Sequence, residues 1–176
     1  VIGEGEEVIH EIIDHLQQSK ERGYDRAETL HSLLSVQGIY IPSLYEPEYH
    51  QDKTFASITP KSSDVQAVIT KRICGTLPPP PTRFLVPAVD VVHNRIAMEI
   101  MRGCTRGCRF CHAGMVNRPV RERTVDTILY AIDEALANTG YEEIALLSLS
   151  SSDYTQIGDL VDKIMDRYSG RNLTIS

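Results

Sequence analysis

Hydrophobic residues in the second half of the chain fall into short apolar runs separated by longer amphipathic stretches. Residues 96–101, 144–149 and 173–175 are mostly apolar runs of strand length, of the kind found in buried parallel strands. The two amphipathic helices are predicted by apolar residues with helical spacing, and they end at Gly140 and Gly170. Their stripes comprise Val125, Ile128, Leu129, Ile132 and Leu136, then Ile157, Leu160, Val161, Ile164, Met165 and Tyr168. Strand–helix–strand–helix–strand with short connections predicts an α/β fold with a parallel sheet and right-handed crossovers.

Residues 1–77 carry a weaker pattern, which predicts a mostly helical or irregular segment. The first two residues are interpreted as the end of a strand that turns into a helix. That helix is marked by an amphipathic stripe comprising Val8, Ile9, Ile12, Ile13 and Leu16. A second short helix is expected at about residues 25–35, and short strands at residues 53–60 and 64–73. Between the second helix and the first of these strands, Pro42 and Pro47 are expected to break an extended stretch.

Four consecutive prolines at positions 78–81 predict a stiff connector, because such a run favours polyproline II and cannot continue a sheet. We therefore place a domain boundary there, with residues 78–94 as a proline-rich linker. Residues 1–77 then form one region and residues 95–176 another. A proline-rich peptide ligand is the alternative interpretation, but linkers between folded segments are commoner.

The strongest chemical signal is a group of three cysteines directly after the apolar run 96–101. Cys104, Cys108 and Cys111 have the spacing Cys-x-x-x-Cys-x-x-Cys. Three thiolates on one loop can hold three irons of a cubane iron–sulfur cluster and leave the fourth iron open, as a reactive metal site requires. Ser150 to Asp153 follow the next predicted strand, so the two loops are expected on the same face of the sheet.

A disulfide and a zinc site are the two other roles that closely spaced cysteines can have. A disulfide is disfavoured because three neighbouring cysteines leave one unpaired and nothing marks the chain as secreted. A structural zinc site with His112 as fourth ligand, in a non-catalytic scaffold module, remains the alternative. His112 adjoins Cys111, however, which makes tetrahedral closure by both awkward, and paired Cys-x-x-Cys knuckles are absent from the sequence. Cys74 is interpreted as an ordinary buried or partly buried thiol.

The cysteine loop resembles that of the radical S-adenosylmethionine (radical SAM) enzymes. The run Arg-Gly-Cys-Thr-Arg-Gly-Cys-Arg-Phe-Cys-His over residues 102–112 carries their three-cysteine motif, with the aromatic Phe110 before the last cysteine. Residues 99–104, 118–124 and 148–154 are similar to a subgroup in which the domain follows a cobalamin (B12)-binding domain. For residues 95–176, the resemblance implies the start of a (βα)6 partial TIM barrel. For residues 1–77, it implies the end of the cobalamin-binding domain plus a connecting region, so the chain looks like an internal fragment.

The resemblance also implies the chemistry and the cofactors. A [4Fe-4S] cluster on Cys104, Cys108 and Cys111 would bind S-adenosylmethionine and cleave it reductively to a 5′-deoxyadenosyl radical, or support cobalamin-dependent methyl transfer. A reducing protein such as flavodoxin or ferredoxin would supply the electron, and the substrate is unknown. Because the chain ends in the third predicted strand, we expect weak or no turnover from these 176 residues alone.

Roles for further residues follow from the same resemblance. Phe110 would pack near the cluster and the adenine. The family's Gly-Gly-Glu-like segment after the second strand is absent, and in its place stand Ser150, Ser151, Ser152 and Asp153, which offer acceptors for the methionine ammonium group. Arg118 and Arg121 could reach the cofactor carboxylate or ribose. Asp153 could instead cap the following helix, and the arginines could be a solvated surface.

Composition narrows the location and the partners. Lys and Arg total 18 against 24 Asp and Glu, giving a formal charge of −6, so the overall charge does not indicate nucleic acid binding. No apolar run approaches the roughly 20 residues that span a bilayer. Free cluster-ligating thiolates suit a reducing compartment, so a cytoplasmic location is expected.

Overall fold

The computed structural model describes residues 1–89 and 91–176, which divide into two compact units, Val1–Cys74 and Gly75–Ser176. Each unit has its own hydrophobic core. Within the described residues the chain is a mixed α/β structure whose sheets have two or three strands, and none of them closes into a barrel. No helix among these residues is long and apolar enough to cross a bilayer.

The first unit contains two helices and a small hairpin. Helix α1 (Val8–Arg22) is the predicted first helix and ends at Gly23, whose φ of 70° provides the left-handed C-cap. Helix α2 (Arg26–Ser32) begins with a capping box between Asp25 and Glu28, and a 3-10 turn continues it to Ser35. Strands β1 (Tyr45–Tyr49) and β2 (Phe55–Pro60) then pair antiparallel. A second 3-10 turn, Pro42–Leu44, precedes β1.

Four sequence predictions for this unit were wrong, wholly or in part. Pro47 lies inside β1, which is tolerated because β1 pairs with β2 alone and has a free edge. Residues 64–73 form no strand and contribute only an isolated bridge from Arg72 to Gly3. The same bridge is all that represents the predicted strand end at the start of the chain. Ile9, Ile13 and Leu16 of the α1 stripe are exposed, and Val8 is its only fully buried apolar residue.

The second unit contains the predicted parallel sheet. Strands β3 (Ile96–Glu99) and β4 (Met101–Arg102) precede the short helix α3 (Ala113–Val116), strand β5 (Arg121–Glu122) and helix α4 (Val125–Thr139). Strand β6 (Glu143–Leu147), helix α5 (Ile157–Tyr168) and strand β7 (Thr174–Ile175) complete it. The sheet order is β3-β6-β7, and both pairings are parallel, as predicted.

The apolar run 96–101 is divided between two sheets instead of forming one strand. β3 pairs with β6, whereas β4 pairs antiparallel with β5. Ile100 stands at the division: its N–H donates to Leu147 O (3.0 Å) and its carbonyl accepts from Arg123 N (3.0 Å). The chain therefore changes its strand partner at Ile100, before the two residues of β4 lead into the cysteine loop.

The core of this unit is formed by the inner faces of the sheet and the two long helices. Thr124 caps α4 through its side chain, accepting from Thr127 N at 3.2 Å, and Gly140 ends that helix with a φ of 70°. The fully buried residues Ile96, Met98, Ile128, Ile132, Ile144, Leu160 and Ile164 fill the interior. The predicted stripes of both helices thus supply most of the helical part of this core, but Met165 of the second stripe is exposed.

The proline-rich segment is in contact with the second unit along part of its length. Pro78 O accepts a hydrogen bond from Arg123, and Phe84 packs against the core. Asn138 donates to Thr82 O and Tyr141 to Leu85 O, both at 3.2 Å. The contact-based division lies at residues 74 and 75, a few residues before the prolines. The assignment of residues 1–77, 78–94 and 95–176 to named domains stays a prediction.

Candidate metal and cofactor site

The cysteines lie on a loop that leaves the carboxyl end of the parallel sheet. β4 ends at Arg102, residues 103–112 form the loop, and α3 follows it. Gly103 and Gly107 have positive φ values of 86° and 63°, which glycine adopts without steric strain. A Cβ at Gly103 would stand 2.7 Å from Pro119 O and 2.9 Å from Asn117 O. Glycine at position 103 therefore allows residues 117–120 to close onto the cysteine loop.

The three loop cysteines are free thiols with different exposure. Cys104 and Cys111 are half-buried and Cys108 is exposed. Two of the sulfurs accept backbone hydrogen bonds, Cys104 Sγ from Arg106 N and Cys111 Sγ from Gly114 N, both at 3.4 Å. Cys111 N also donates to Cys108 O at 3.0 Å, which turns the chain between these two cysteines. Backbone N–H donors to sulfur are the contacts that tune iron–sulfur clusters.

The three cysteines are close in sequence, but the loop does not arrange their side chains as a metal site. Across residues 1–89 and 91–176, no group of three or more His, Cys, Asp or Glu side chains is arranged to hold a metal ion. His112, the possible zinc ligand, is exposed. Phe110 is 93% exposed, so its ring lies outside the core of the second unit.

The loop after β6 lies directly beside the cysteine loop, as predicted for neighbouring parallel strands. Arg106 Nε donates to Asp153 Oδ2 at 2.6 Å, and Arg106 Nη2 donates to Asp153 Oδ1. Ser150 Oγ also donates to Asp153 Oδ2, at 2.7 Å. Arg106 and Ser150 together hold the pKa of the Asp153 carboxyl below its ordinary value. Asp153 is not the N-cap of α5, since Gln156 occupies that position without a side-chain cap.

The three serines of this loop differ in how far their hydroxyls are engaged. Ser151 Oγ contacts Ser148 Oγ at 2.9 Å and donates to Leu146 O at 3.2 Å. Ser150 is engaged with Asp153. Ser152 is exposed, and its side chain makes no hydrogen bond to any residue that the structure describes. Ser152 therefore offers the most accessible hydroxyl of the three.

The predicted arginine cluster is divided among different roles. Arg118 Nε donates to Gly114 O at 3.2 Å, and its Nη2 would stand 3.6 Å from a Cβ at Gly107, so this side chain lies across the cysteine loop. An open cavity of about 530 Å³ beside it is lined by Cys104, Thr105, Arg118, Pro119 and Val120. Arg121 donates to Pro119 O at 3.2 Å and is half-buried in β5. Arg118 thus lines a cavity together with Cys104, a candidate cysteine ligand.

A buried ion pair beneath the loop was not anticipated. The Arg123 side chain is only 4% exposed and donates to Glu99 Oε2 (2.5 Å), Glu99 O (2.9 Å) and Pro78 O (2.5 Å). Arg102 Nε donates to the other Glu99 oxygen at 2.7 Å. Tyr154 OH donates to Arg123 O at 2.8 Å. The one available signal was Glu99 itself, a single carboxylate within an otherwise apolar strand.

Two further hydrogen bonds that the sequence did not predict connect β5 to the residues just before α5. Glu122 Oε1 accepts from Thr155 N at 3.0 Å, and the Thr155 hydroxyl donates to Glu122 Oε2 at 2.5 Å. Glu122 therefore holds Thr155, which directly precedes the N-cap residue Gln156 of α5, and Gln156 makes no side-chain cap. Polar contacts thus connect the cysteine loop to the loop after β6, and β5 to the residues that precede α5.

Comparison with known proteins identifies two parts of the chain. Residues 98–176 match the family model described as radical SAM superfamily, and residues 1–42 match the model described as radical SAM proteins, N-terminal. An uncharacterized protein of Methanocaldococcus jannaschii is 36% identical over 69 residues, which is 39% of this chain and 16% of that protein. The chain thus matches only a small part of that relative's length. No solved structure matches the chain significantly. Residues 98–176 are therefore similar to the radical SAM superfamily, and residues 1–42 to the N-terminal segment of radical SAM proteins.

Proposed function

We propose that residues 95–176 are the opening part of the catalytic domain of a radical SAM enzyme. Cys104, Cys108 and Cys111 would each bind one iron of a [4Fe-4S] cluster, and S-adenosylmethionine would occupy the fourth iron. The observation that carries this proposal is the three-cysteine spacing on a loop at the carboxyl edge of a parallel sheet, within the segment that matches the radical SAM superfamily. Family membership suggests that the whole protein is an enzyme.

The donors on this loop fit such a cluster. They are three thiols without a disulfide, and two of the sulfurs already accept backbone N–H groups. Thiolate ligation with N–H donors to sulfur is the usual environment of a [4Fe-4S] centre. When bound and reduced, the cluster would supply the electron that cleaves S-adenosylmethionine to a 5′-deoxyadenosyl radical.

The chain's own residues would orient the cofactor. Arg118 lines the cavity beside Cys104, and its guanidinium suits the methionine carboxylate. The exposed ring of Phe110 is available to pack on the adenine. Ser152, with Ser150 and Ser151 beside it, would accept from the ammonium group, and Asp153 lies on the same loop. Arg121 is assigned to the ribose or carboxylate at the rim of the same site.

The partial barrel is part of the same proposal. Three parallel strands in sequential order, joined through α4 and α5, are what the first strands of a (βα)6 partial TIM barrel require.

The parent protein would carry the remaining partners. We assign residues 1–77 to the end of a cobalamin-binding domain and its connecting region, on the resemblance described above, and the N-terminal radical SAM match supports a preceding accessory region. A flavodoxin or ferredoxin would provide electrons. Methyl transfer with cobalamin is one reaction that this arrangement would support, while the substrate is not defined by these residues.

Anaerobic reconstitution with iron and sulfide tests the cluster. We expect about four irons per chain and a brown protein, and loss of iron binding in Cys104→Ala, Cys108→Ala and Cys111→Ala. Cys74→Ala is the control and should bind iron as the unchanged chain does, because Cys74 is buried in the other unit. Stoichiometric, air-stable zinc with no uptake of iron would contradict the proposal and favour the structural zinc alternative.

A further inference from the structure

The contact between Arg106 and Asp153 joins two loops that are 47 residues apart in sequence. Both oxygens of the carboxylate are engaged, one by Nε at 2.6 Å and the other by Nη2 of the same guanidinium. Such a two-bond arrangement fixes the direction of the guanidinium plane as well as its distance. A single bond between two surface side chains would leave that plane free to rotate.

The Asp153 side is the anchored end of this contact. Its side chain is only 16% exposed, and Ser150 Oγ donates to it at 2.7 Å. Ser151–Asp153 forms a 3-10 turn, in which Asp153 N donates to Ser150 O at 2.9 Å. Tyr154 follows this 3-10 turn directly. It is buried, and its hydroxyl donates to Arg123 O at 2.8 Å. The acceptor is therefore attached to the core of the second unit.

The Arg106 side is the adaptable end, placed midway between two ligand cysteines. Its side chain is 61% exposed, and the residue lies two positions from both Cys104 and Cys108. Its own N–H donates to Cys104 Sγ at 3.4 Å. Fixing this side chain therefore restrains the backbone segment that sets the distance between the first two cysteines.

We propose that Asp153 and Arg106 act as a loop clasp, in which Asp153 is a positioning residue that holds the cysteine loop ready for the cluster. This inference rests on the function proposed above and refines it: Asp153 acts on Arg106, and Ser152 is left as the acceptor available to the cofactor. The sequence separates the two residues, so the clasp forms only once β3 and β6 are paired. Cluster assembly would thus depend on a folded sheet.

Loop order in the metal-free chain tests the clasp without any turnover. Hydrogen–deuterium exchange of peptides covering residues 103–112 would be compared in the unchanged chain, Asp153→Asn and Arg106→Gln. We expect exchange about two- to fivefold faster in both variants, the range expected for loss of a partly exposed ion pair. The exchanged pair, Arg106→Asp with Asp153→Arg, should recover part of the protection.

The chain offers a matched control for this experiment. Arg167 and Asp133 form the same kind of two-bond pair between α5 and α4, with Nε to Oδ1 at 3.1 Å and similar exposure. Arg167→Gln should leave exchange of residues 103–112 unchanged. After reconstitution, Asp153→Asn should also release iron to a chelator faster than Arg167→Gln does, because its loop returns less readily to the ligand geometry.

Two outcomes would overturn the clasp. Unchanged exchange of residues 103–112 in both Asp153→Asn and Arg106→Gln would show that the pair does not order the loop. Unchanged exchange and iron retention with weaker binding of S-adenosylmethionine would instead make Asp153 a cofactor ligand. Failure of the unchanged chain to take up iron would count against the proposed function, while the exchange result on the metal-free chain would still decide the clasp.

Discussion

At the scale of single residues, the four cysteines occupy two different environments. Cys74 is 2% exposed, its N–H donates to Glu4 Oε2 at 2.6 Å, and its thiol lies 3.6 Å from a Glu6 oxygen. Burial raises the pKa of the Cys74 thiol, and the neighbouring carboxylate of Glu6 raises it further. Cys108, by contrast, is exposed on the loop. The sequence already separates Cys74 from the three loop cysteines, and the structure adds the surroundings that set the reactivity of each thiol.

This difference predicts unequal reactivity in the reduced, metal-free chain. A raised pKa leaves less thiolate at neutral pH, and burial blocks access, so Cys74 should be alkylated at least about tenfold more slowly than Cys108. Iodoacetamide labelling followed by peptide mapping measures both rates in one sample. Labelling in denaturant provides the control, since both rates should then converge. Equal rates in the folded chain would contradict the burial of Cys74.

At the scale of elements, the ion pair of Glu99 and Arg123 connects β3 to the turn that begins α4. The buried Arg123 guanidinium donates to the Glu99 carboxylate and to the carbonyls of Glu99 and Pro78. Removing it leaves a partly buried carboxylate and these two carbonyls without this donor. Arg102 still pairs with Glu99, which limits the damage. We expect Arg123→Met to lower the free energy of unfolding by about 2–3 kcal/mol.

Chemical denaturation monitored by circular dichroism measures this change. Arg167→Met is the control, because its ion pair with Asp133 is much more exposed and should contribute less than about 1 kcal/mol. If Arg123→Met lowers the free energy of unfolding less than Arg167→Met does, the desolvation of the buried guanidinium must offset the stabilisation from its contacts. The result therefore decides whether the pair stabilises the edge below the cysteine loop.

Comparison of elements shows which features the sequence could predict. α1, α4 and α5 were recognisable because helical periodicity and caps such as Thr124 are local signals. The cysteine spacing is equally local. The division of the strand at Ile100 and the retention of Pro47 in β1 depend on which strands pair, and that is decided by distant segments. The contacts of Arg106 and Arg123 span 47 and 24 residues, beyond any periodic pattern.

At the scale of the whole molecule, two separate cores account for the two compact units. Val8, Leu33, Val36, Ile39 and Ile41 form one core, and the parallel sheet with α4 and α5 forms the other. The two family matches fall on different units, residues 1–42 in the first and residues 98–176 in the second. The candidate cluster loop therefore depends on the second core for its support.

This separation predicts that damage to one core stays within its own unit. Ile132→Ala removes a fully buried side chain from the second unit and should cost about 2–5 kcal/mol there, while Ile41→Ala is the matched change in the first unit. Hydrogen exchange resolved by peptide should accelerate within residues 75–176 for Ile132→Ala, the cysteine loop included, and within residues 1–74 for Ile41→Ala. Acceleration across both units from either substitution would mean that the chain unfolds as one cooperative body. Iron uptake adds a second measure, because Ile132→Ala should weaken it and Ile41→Ala should not.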